Sequence, residues 1–461
     1  MQEVSRPPRP SRSLSPFSDK EFLRILVTLA LPIVIQRLLI SSVNLLDSVM
    51  VGRLGDLEVA AVGIANQLYF VYALFLEGIA GGCSIFISQY WGAGKRESIL
   101  HVLGMGICAV SITGFLFSCL GLFTPHLVLS LFSRAEDVLG AGSQYLAIIG
   151  WSYLVTGISF ILAAALRAIG NSRLPMRISA FSLSLNAIFN YLLIFGKGGF
   201  PRMGVRGAAL ATLIARFAEF FLLCAAILRK GSPLRGRAHD YFSFHASFAM
   251  RVFSTSLPVM LNDMFWGIGF TLYTVAYGLL GTNALASTQI ARNIEQIFLV
   301  FDFGIASAAL VMVGNLIGAG QSDKARDYAR KLILISLAVG VGMGLILFCS
   351  APFILTFYQV SQTVAKDAIS ILYLFAATLP VKVAASTVIV GIYRGGGTAA
   401  YAARSELFAL WMVGLPLSFF GATVLNLPIT LLVLCQFSED LVKLTLGLIR
   451  LRRGDWIRSV L

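Results

Sequence analysis

Asp47, in the stretch NLLDSVMVGRLG, is a carboxylate set in apolar sequence: LRILVTLALPIVIQRLLISSV leads into it, and a second long apolar segment follows a short turn. A charge at hydrocarbon depth costs roughly 3 kcal/mol on insertion scales, so it persists where it is partnered or used. On a helix turning about 100° per residue, Gln36, Asn44 and Asp47 share one face, because separations of eleven and three residues return close to the same azimuth. Asn186 and Asn190, in SLSLNAIFNY, make a second polar stripe at i, i+4 spacing. A carboxylate among amide oxygens has two routes to neutrality: it takes a proton, or it coordinates a small cation with neutral oxygens completing the shell. If the helix bends when its charge is cancelled, either event is mechanically useful. Asp47, with Asn44 and Gln36 on its face, is therefore the candidate cation-coupling group, and H+ or Na+ the ion.

Other charges lie in apolar runs. Glu219 in RFAEFF and Glu439 in QFSEDL occupy matching places, and Lys443 follows Glu439 by four residues, the spacing of an ion pair on one helix. Asp263, Glu295, Lys382 and Glu406 form a candidate polar site in the C-terminal half. Arg37, one residue after Gln36, points off the Asp47 stripe. The six cysteines lack metal-ligand spacing, and none of the four histidines has a spaced partner. GIAGG, Gly78 to Gly82, follows no strand and precedes no Walker-type lysine. No nucleophile, acid and base constellation is present, so the expectation is no enzyme, no cofactor and no nucleic-acid partner.

The elements that position these groups follow from hydropathy. With 57% hydrophobic residues, 13% charged residues and a mean hydropathy of +0.83 over 461 residues, the chain reads as an all-α polytopic membrane protein. Apolar runs long enough to cross about 30 Å of hydrocarbon number about twelve, over 23–51, 59–88, 99–124, 141–166, 175–196, 205–229, 251–280, 285–314, 328–357, 366–393, 402–424 and 428–449. The net charge of +14 is distributed by side. Lys and Arg crowd alternate connections, such as Lys95–Arg96, Arg229–Lys230 and Lys324–Arg330, together with both ends of the chain, which predicts that both termini are cytoplasmic. Residues 1–20, rich in Pro, Ser and Arg, read as a disordered cytoplasmic tail without a cleavable signal.

The chain is also duplicated. LPIVIQRLL, VGRLGDLEVAAVGIANQ and EGIAGGCSIFISQYWGAGK recur as LPVMLNDMF, YGLLGTNALASTQIARN and FGIASAALVMVGNLIGAGQ, at one offset of 226 residues that takes Pro32 to Pro258 and Gly78 to Gly304. Further on, LRAIGNSRLP matches YRGGGTAAYA, with Arg167 to Arg394 shifted by 227. Two halves of six spans follow, 21–235 and 236–461, both entering the membrane from the same side. Parallel repeats of this kind characterise secondary transporters, which carry the substrate site between the halves.

LPIVIQ, NLLDSVMVGRLG, AVGIANQ and SIFISQYWGAGK, with the doubled halves, resemble the multidrug and toxic compound extrusion (MATE) family over nearly the whole chain, and NDMFW at Asn262 to Trp266 resembles its bacterial members. The resemblance implies two pseudo-symmetric six-helix bundles in the MATE fold, a bacterial plasma-membrane location, and export of small amphipathic, often cationic organic substrates in exchange for H+ or Na+. It also implies that Asn186 and Asn190 stand beside the first-helix Asp47 and join its cation-coupling group, so that a transported Na+ would sit at Asp47, Asn186 and Asn190. The sodium-linked branch carries acidic residues in the seventh and tenth helices, where this chain has Trp266 and Val383, so that branch's C-terminal site does not carry over. A monomer is expected, with membrane lipids and the organic substrates as its partners. The alternative function is a flippase for a lipid-linked saccharide, whose pyrophosphate would need clustered arginines; the candidates are Arg37, Arg216 and Arg292.

Overall fold

The computed structural model describes residues 16–358 and 360–461; residues 1–15 of the expected tail lie outside the described residues. Every regular element among the described residues is a helix. A backbone in hydrocarbon satisfies its polar groups internally, and a helix does this within one segment. The first half holds α1 (Lys20–Gly52), α2 (Asp56–Gly92), α3 (Arg96–Phe123), α4, which is bent by 54° between Glu136–Ile149 and Ser152–Ala168, α5 (Arg173–Phe195) and α6 (Val205–Leu228). The second holds α7 (Ala246–Gly278), α8 (Thr282–Gly318), α9 (Ser322–Leu355), α10 (Gln362–Ser386, continued by a π-helical segment Thr387–Tyr393), α11 (Ala399–Phe408 through Leu415–Thr423, joined by a π-helical segment Ala409–Gly414) and α12 (Ile429–Arg453).

Each expected span falls on one of these twelve helices. Among the described residues nine are long and apolar enough to cross a bilayer, and the bent α4 makes ten. α7 and α12, at 33 and 25 residues, are also long enough, but carry Asn262 and Asp263, and Glu439, Asp440 and Lys443. Their polarity is the cost of the groups described below.

The duplication is visible in the packing. α1 and α2 of the first half meet α7 and α8 of the second. A side chain at Gly78 would collide with Met260 on α7, and one at the repeat-equivalent Gly304 would collide with Val34 on α1. Further along, a Cβ on Gly92 would lie 2.0 Å from the Asn315 carbonyl oxygen, and one on Gly318 would lie 1.9 Å from that of Gln89. These are two copies of one contact, since Gln89 and Asn315 are themselves equivalent. Small residues let the helices approach this closely. Both α2 and α8 then end on a left-handed glycine, Gly94 (φ 70°) and Gly320 (φ 72°).

At this basic end the halves are further tied. Asp19 caps α1 by accepting from the Phe22 amide (3.0 Å) and pairs with Lys331 of α9 (2.7 Å), while Glu21 pairs with Lys324 (3.2 Å). The Lys331 ammonium, with help from the Phe22 amide, holds the Asp19 carboxyl below the usual carboxylate range. After α12 the chain buries Trp456, and Arg458 donates its amide to Gly396 (2.8 Å). Gln89 of α2 clasps the same segment, donating to Gly395 (3.0 Å) and accepting from the Val460 amide (2.9 Å).

Candidate functional site

A cavity of about 440 Å³ opens in the first half, away from the basic end. Its wall is assembled from the last turns of α1 (Asn44, Asp47, Ser48), the start of α2 (Asn66, Tyr69), the bend of α4 (Tyr145, Tyr153), Asn190 of α5 and the start of α6 (Thr212, Arg216). The bend matters because it swings the two halves of α4 apart and gives the pocket an aromatic side.

Asp47 stands in this wall. Asn190 donates its amide to Asp47 Oδ1 at 2.5 Å. With its amide oriented so that the nitrogen faces the acid, Asn186 donates to Asp47 Oδ2 at 3.2 Å and accepts from Thr212 Oγ1 at 3.2 Å. Both asparagines are buried, while Asp47 and Thr212 reach the cavity. Asn190 Oδ1 has no hydrogen-bond partner, so an acceptor is left beside the carboxylate. A charged group is thus held by neutral dipoles alone on its bonded side. The fixed cation nearby, Arg216, pairs with Glu219 one turn along α6 (3.0 Å) and lies over Tyr69 (6.0 Å).

Of the residues expected here, Asp47, Asn186 and Asn190 come together, and Asn44 lines the same cavity. Gln36 does not join them. It shares their face, but eleven residues along a helix are about 16 Å, and it donates instead to Ser179 (2.8 Å), which donates to Glu219 (2.7 Å). Sequence reading missed Thr212, and named Arg216 only as a pyrophosphate candidate. Their spacing with Glu219, at i, i+4 and i+7 on one helix, is the signal that would have found them.

The four residues expected to form one polar site in the second half are divided among three contacts. Asp263 pairs with Arg394 (2.9 Å), Glu295 with Lys382 (2.7 Å), and Glu406 accepts from Asn262 (2.7 Å). Glu406 and Lys382 were expected to contribute together; Glu406 instead has Lys443 at 4.0 Å, because α12 presents its own charged turn to α11. That turn contains the expected Glu439–Lys443 pair (2.7 Å), with Asp440 at 3.1 Å from the same ammonium. The three arginines weighed for a pyrophosphate are separated: Arg37 pairs with Glu77 (2.8 Å), Arg216 lines the first-half cavity, and Arg292 bonds Thr274 (3.1 Å) beneath Phe270.

The MatE family profile matches residues 32–192 and 258–420, one match in each half. Over 95% of this chain and 93% of its own length, a Thermotoga maritima protein named as a probable multidrug resistance protein NorM is 26% identical. The Bacillus subtilis uncharacterized transporter YisQ is 22% identical over 97% of this chain and 98% of its own. Among solved structures, the Vibrio cholerae MATE transporter VcmN in its bent form superposes with a TM-score of 0.85 at 19% identity, covering 95% of this chain and 99% of that one. A MOP superfamily transporter from Pyrococcus furiosus superposes with a TM-score of 0.83 at 19% identity, covering 94% and 97%.

Proposed function

Since the chain belongs to the MatE family and is a multi-pass membrane protein, we propose that it is a secondary antiporter that exports small amphipathic, often cationic organic compounds in exchange for protons. The observation that carries this reading is the Asp47 carboxylate in the wall of a large aromatic cavity, bonded only by amide nitrogens. The Thermotoga maritima relative, named as a probable multidrug resistance protein, supports the substrate class.

In this reading the basic end faces the cytoplasm of a bacterial plasma membrane, and the cavity faces outward. The unprotonated Asp47 attracts a cationic substrate, and its aromatic neighbours Tyr69, Tyr145 and Tyr153 offer ring faces to a flat, apolar body. A proton arriving from outside cancels the charge, removes the attraction and loosens the bonds from Asn190 and Asn186, which releases substrate outward. The proton is favoured over Na+ because Arg216 lies close by, where like charge disfavours a bound metal cation. The halves 21–235 and 236–461, working as a monomer, then rock at the α1/α2 and α7/α8 contact, and the ties of the basic end part to admit substrate from the cytoplasm. The flippase alternative has less support, since its three arginines do not converge.

Reconstituted liposomes with a pH gradient or a sodium gradient imposed separately test this. Wild type is expected to export a cationic dye with the pH gradient alone, and Asp47→Asn at least about tenfold more slowly. Export driven only by sodium would replace the proton; equal export by both proteins under both gradients would remove Asp47 from the mechanism.

A further inference from the structure

Besides the Asp263–Arg394 pair (2.9 Å), the second half encloses Glu295, Asp302, Glu406, Glu439 and Asp440 among α7, α8 and α10 to α12, against three further cations, Lys382, Lys443 and Arg292. Four of these carboxylates have partners. Glu295 has Lys382 at 2.7 Å, and Lys443 serves Glu439 (2.7 Å), Asp440 (3.1 Å) and Glu406 (4.0 Å). Glu439 also accepts from Tyr273 (2.9 Å), and Glu406 from Asn262.

Asp302, on α8, is treated differently. It is 7% exposed, and its Oδ1 has no hydrogen-bond partner. Ser386 and Lys382 of α10 and Asp440 and Lys443 of α12 are its polar and charged surroundings, and both lysines are already committed to other acids. From α1 and α2, Arg37 and Glu77 neutralise each other at 2.8 Å, and Lys331 of α9 is bound to Asp19 and Asp327 at the basic end. Arg394, at the end of α10, is held by Asp263 at 2.9 Å, so none of these cations forms an ion pair with Asp302. An anion buried without an ion pair of its own is disfavoured unless it takes up a positive species.

We infer that Asp302 is a second proton-binding site, in the C-terminal bundle, which gains and loses its proton by way of Lys382 and Asp440. A proton suits the place better than a metal ion, because two ammonium groups stand nearby and, among the described residues, no group of three or more His, Cys, Asp or Glu is arranged to hold a metal. A proton needs one oxygen only. Beside Lys382 and Asp440 lies a cavity of about 20 Å³, lined also by Thr378 and Gln436, room for about one water. Ser386 immediately precedes the π-helical segment Thr387–Tyr393, the kind of irregularity that often accompanies functional sites. The repeat-equivalent of Asp302 is Leu76, which is fully buried, so the same place in the other half carries an apolar side chain.

Infrared difference spectra of the full-length protein in liposomes, taken between mildly acidic and mildly alkaline pH, test the inference without relying on transport or on Asp47. The wild type is expected to gain a protonated-carboxyl C=O band on acidification that persists in Asp47→Asn and is lost in Asp302→Asn and Asp302→Leu. Asp302→Glu is expected to restore a band at a shifted frequency. Asp302→Leu is expected to match wild type in thermal stability, which keeps the test readable should the polar variant fold poorly. Spectra of Asp302→Leu that retain every pH-dependent carboxyl band of wild type would overturn the inference, as would an Asp302 band that does not respond to pH.

Discussion

Gln36 of α1 donates to Ser179 of α5, and its repeat-equivalent Asn262 of α7 donates to Glu406 of α11, itself the equivalent of Ser179. From there each line runs to the last helix of its half: Ser179 to Glu219 beside Arg216, and Glu406 to Lys443 beside Glu439. The two halves thus keep one polar path on one backbone plan. They differ at the position of Asp47. Its equivalent is Tyr273, whose hydroxyl donates to Glu439, and the equivalent of Asn190 is Leu417. The first half therefore holds a carboxylate against neutral amides in an open cavity, whereas the second closes over a dense set of ion pairs. Duplication supplied the scaffold, and a few side chains decided which half stays open to water.

The comparison is broken most severely at Lys443. Lys443→Met leaves Glu439, Asp440 and Glu406 facing one another in the buried turn, and about 3–5 kcal/mol of stability is expected to be lost, read as a large fall in thermal midpoint. Arg216→Met, with its side chain 31% exposed to the cavity and a single acid partner, is expected to cost clearly less. An equal loss would erase the distinction between an open and a closed half. Next come Gly92→Ala and Gly318→Ala, which should each cost about 1–3 kcal/mol, because each puts a methyl into a carbonyl of the opposite half. Their effects should agree within measurement; a one-sided effect would contradict the paired crossing. Smallest is Asp19→Ala, about 1 kcal/mol from the lost cap. Because Lys331 depresses the folded-state carboxyl of Asp19, its stabilisation is present above the unfolded carboxylate range and disappears as pH falls through the lower folded value. Denaturation midpoints of wild type and Asp19→Ala should accordingly converge in acid.

Most of the architecture was legible in the sequence. Twelve apolar runs and a constant offset carry the helices and the repeat, because lipid forces every span to be long and helical. The Asp47, Asn186 and Asn190 cluster was legible as well, since intramembrane polar residues are few and their spacing fixes a face. Periodicity fixes an azimuth but no depth, which is why Gln36 was grouped with Asp47 although it bonds Ser179. Pairing across helices was equally hidden: nothing in the spacing says that Asp263 takes Arg394 or that Lys443 gathers three acids. Asp302, an isolated acid in an apolar run, stands out only when its neighbours are seen to be spoken for.

The central claim is that proton and substrate compete at Asp47. Its most direct test is the equilibrium affinity of the purified protein for a fluorescent cationic substrate, followed across pH in wild type and Asp47→Asn. Wild-type affinity should weaken as the medium is acidified, and that of Asp47→Asn should be low and nearly independent of pH. A variant that binds as tightly as wild type, with the same pH dependence, would contradict it.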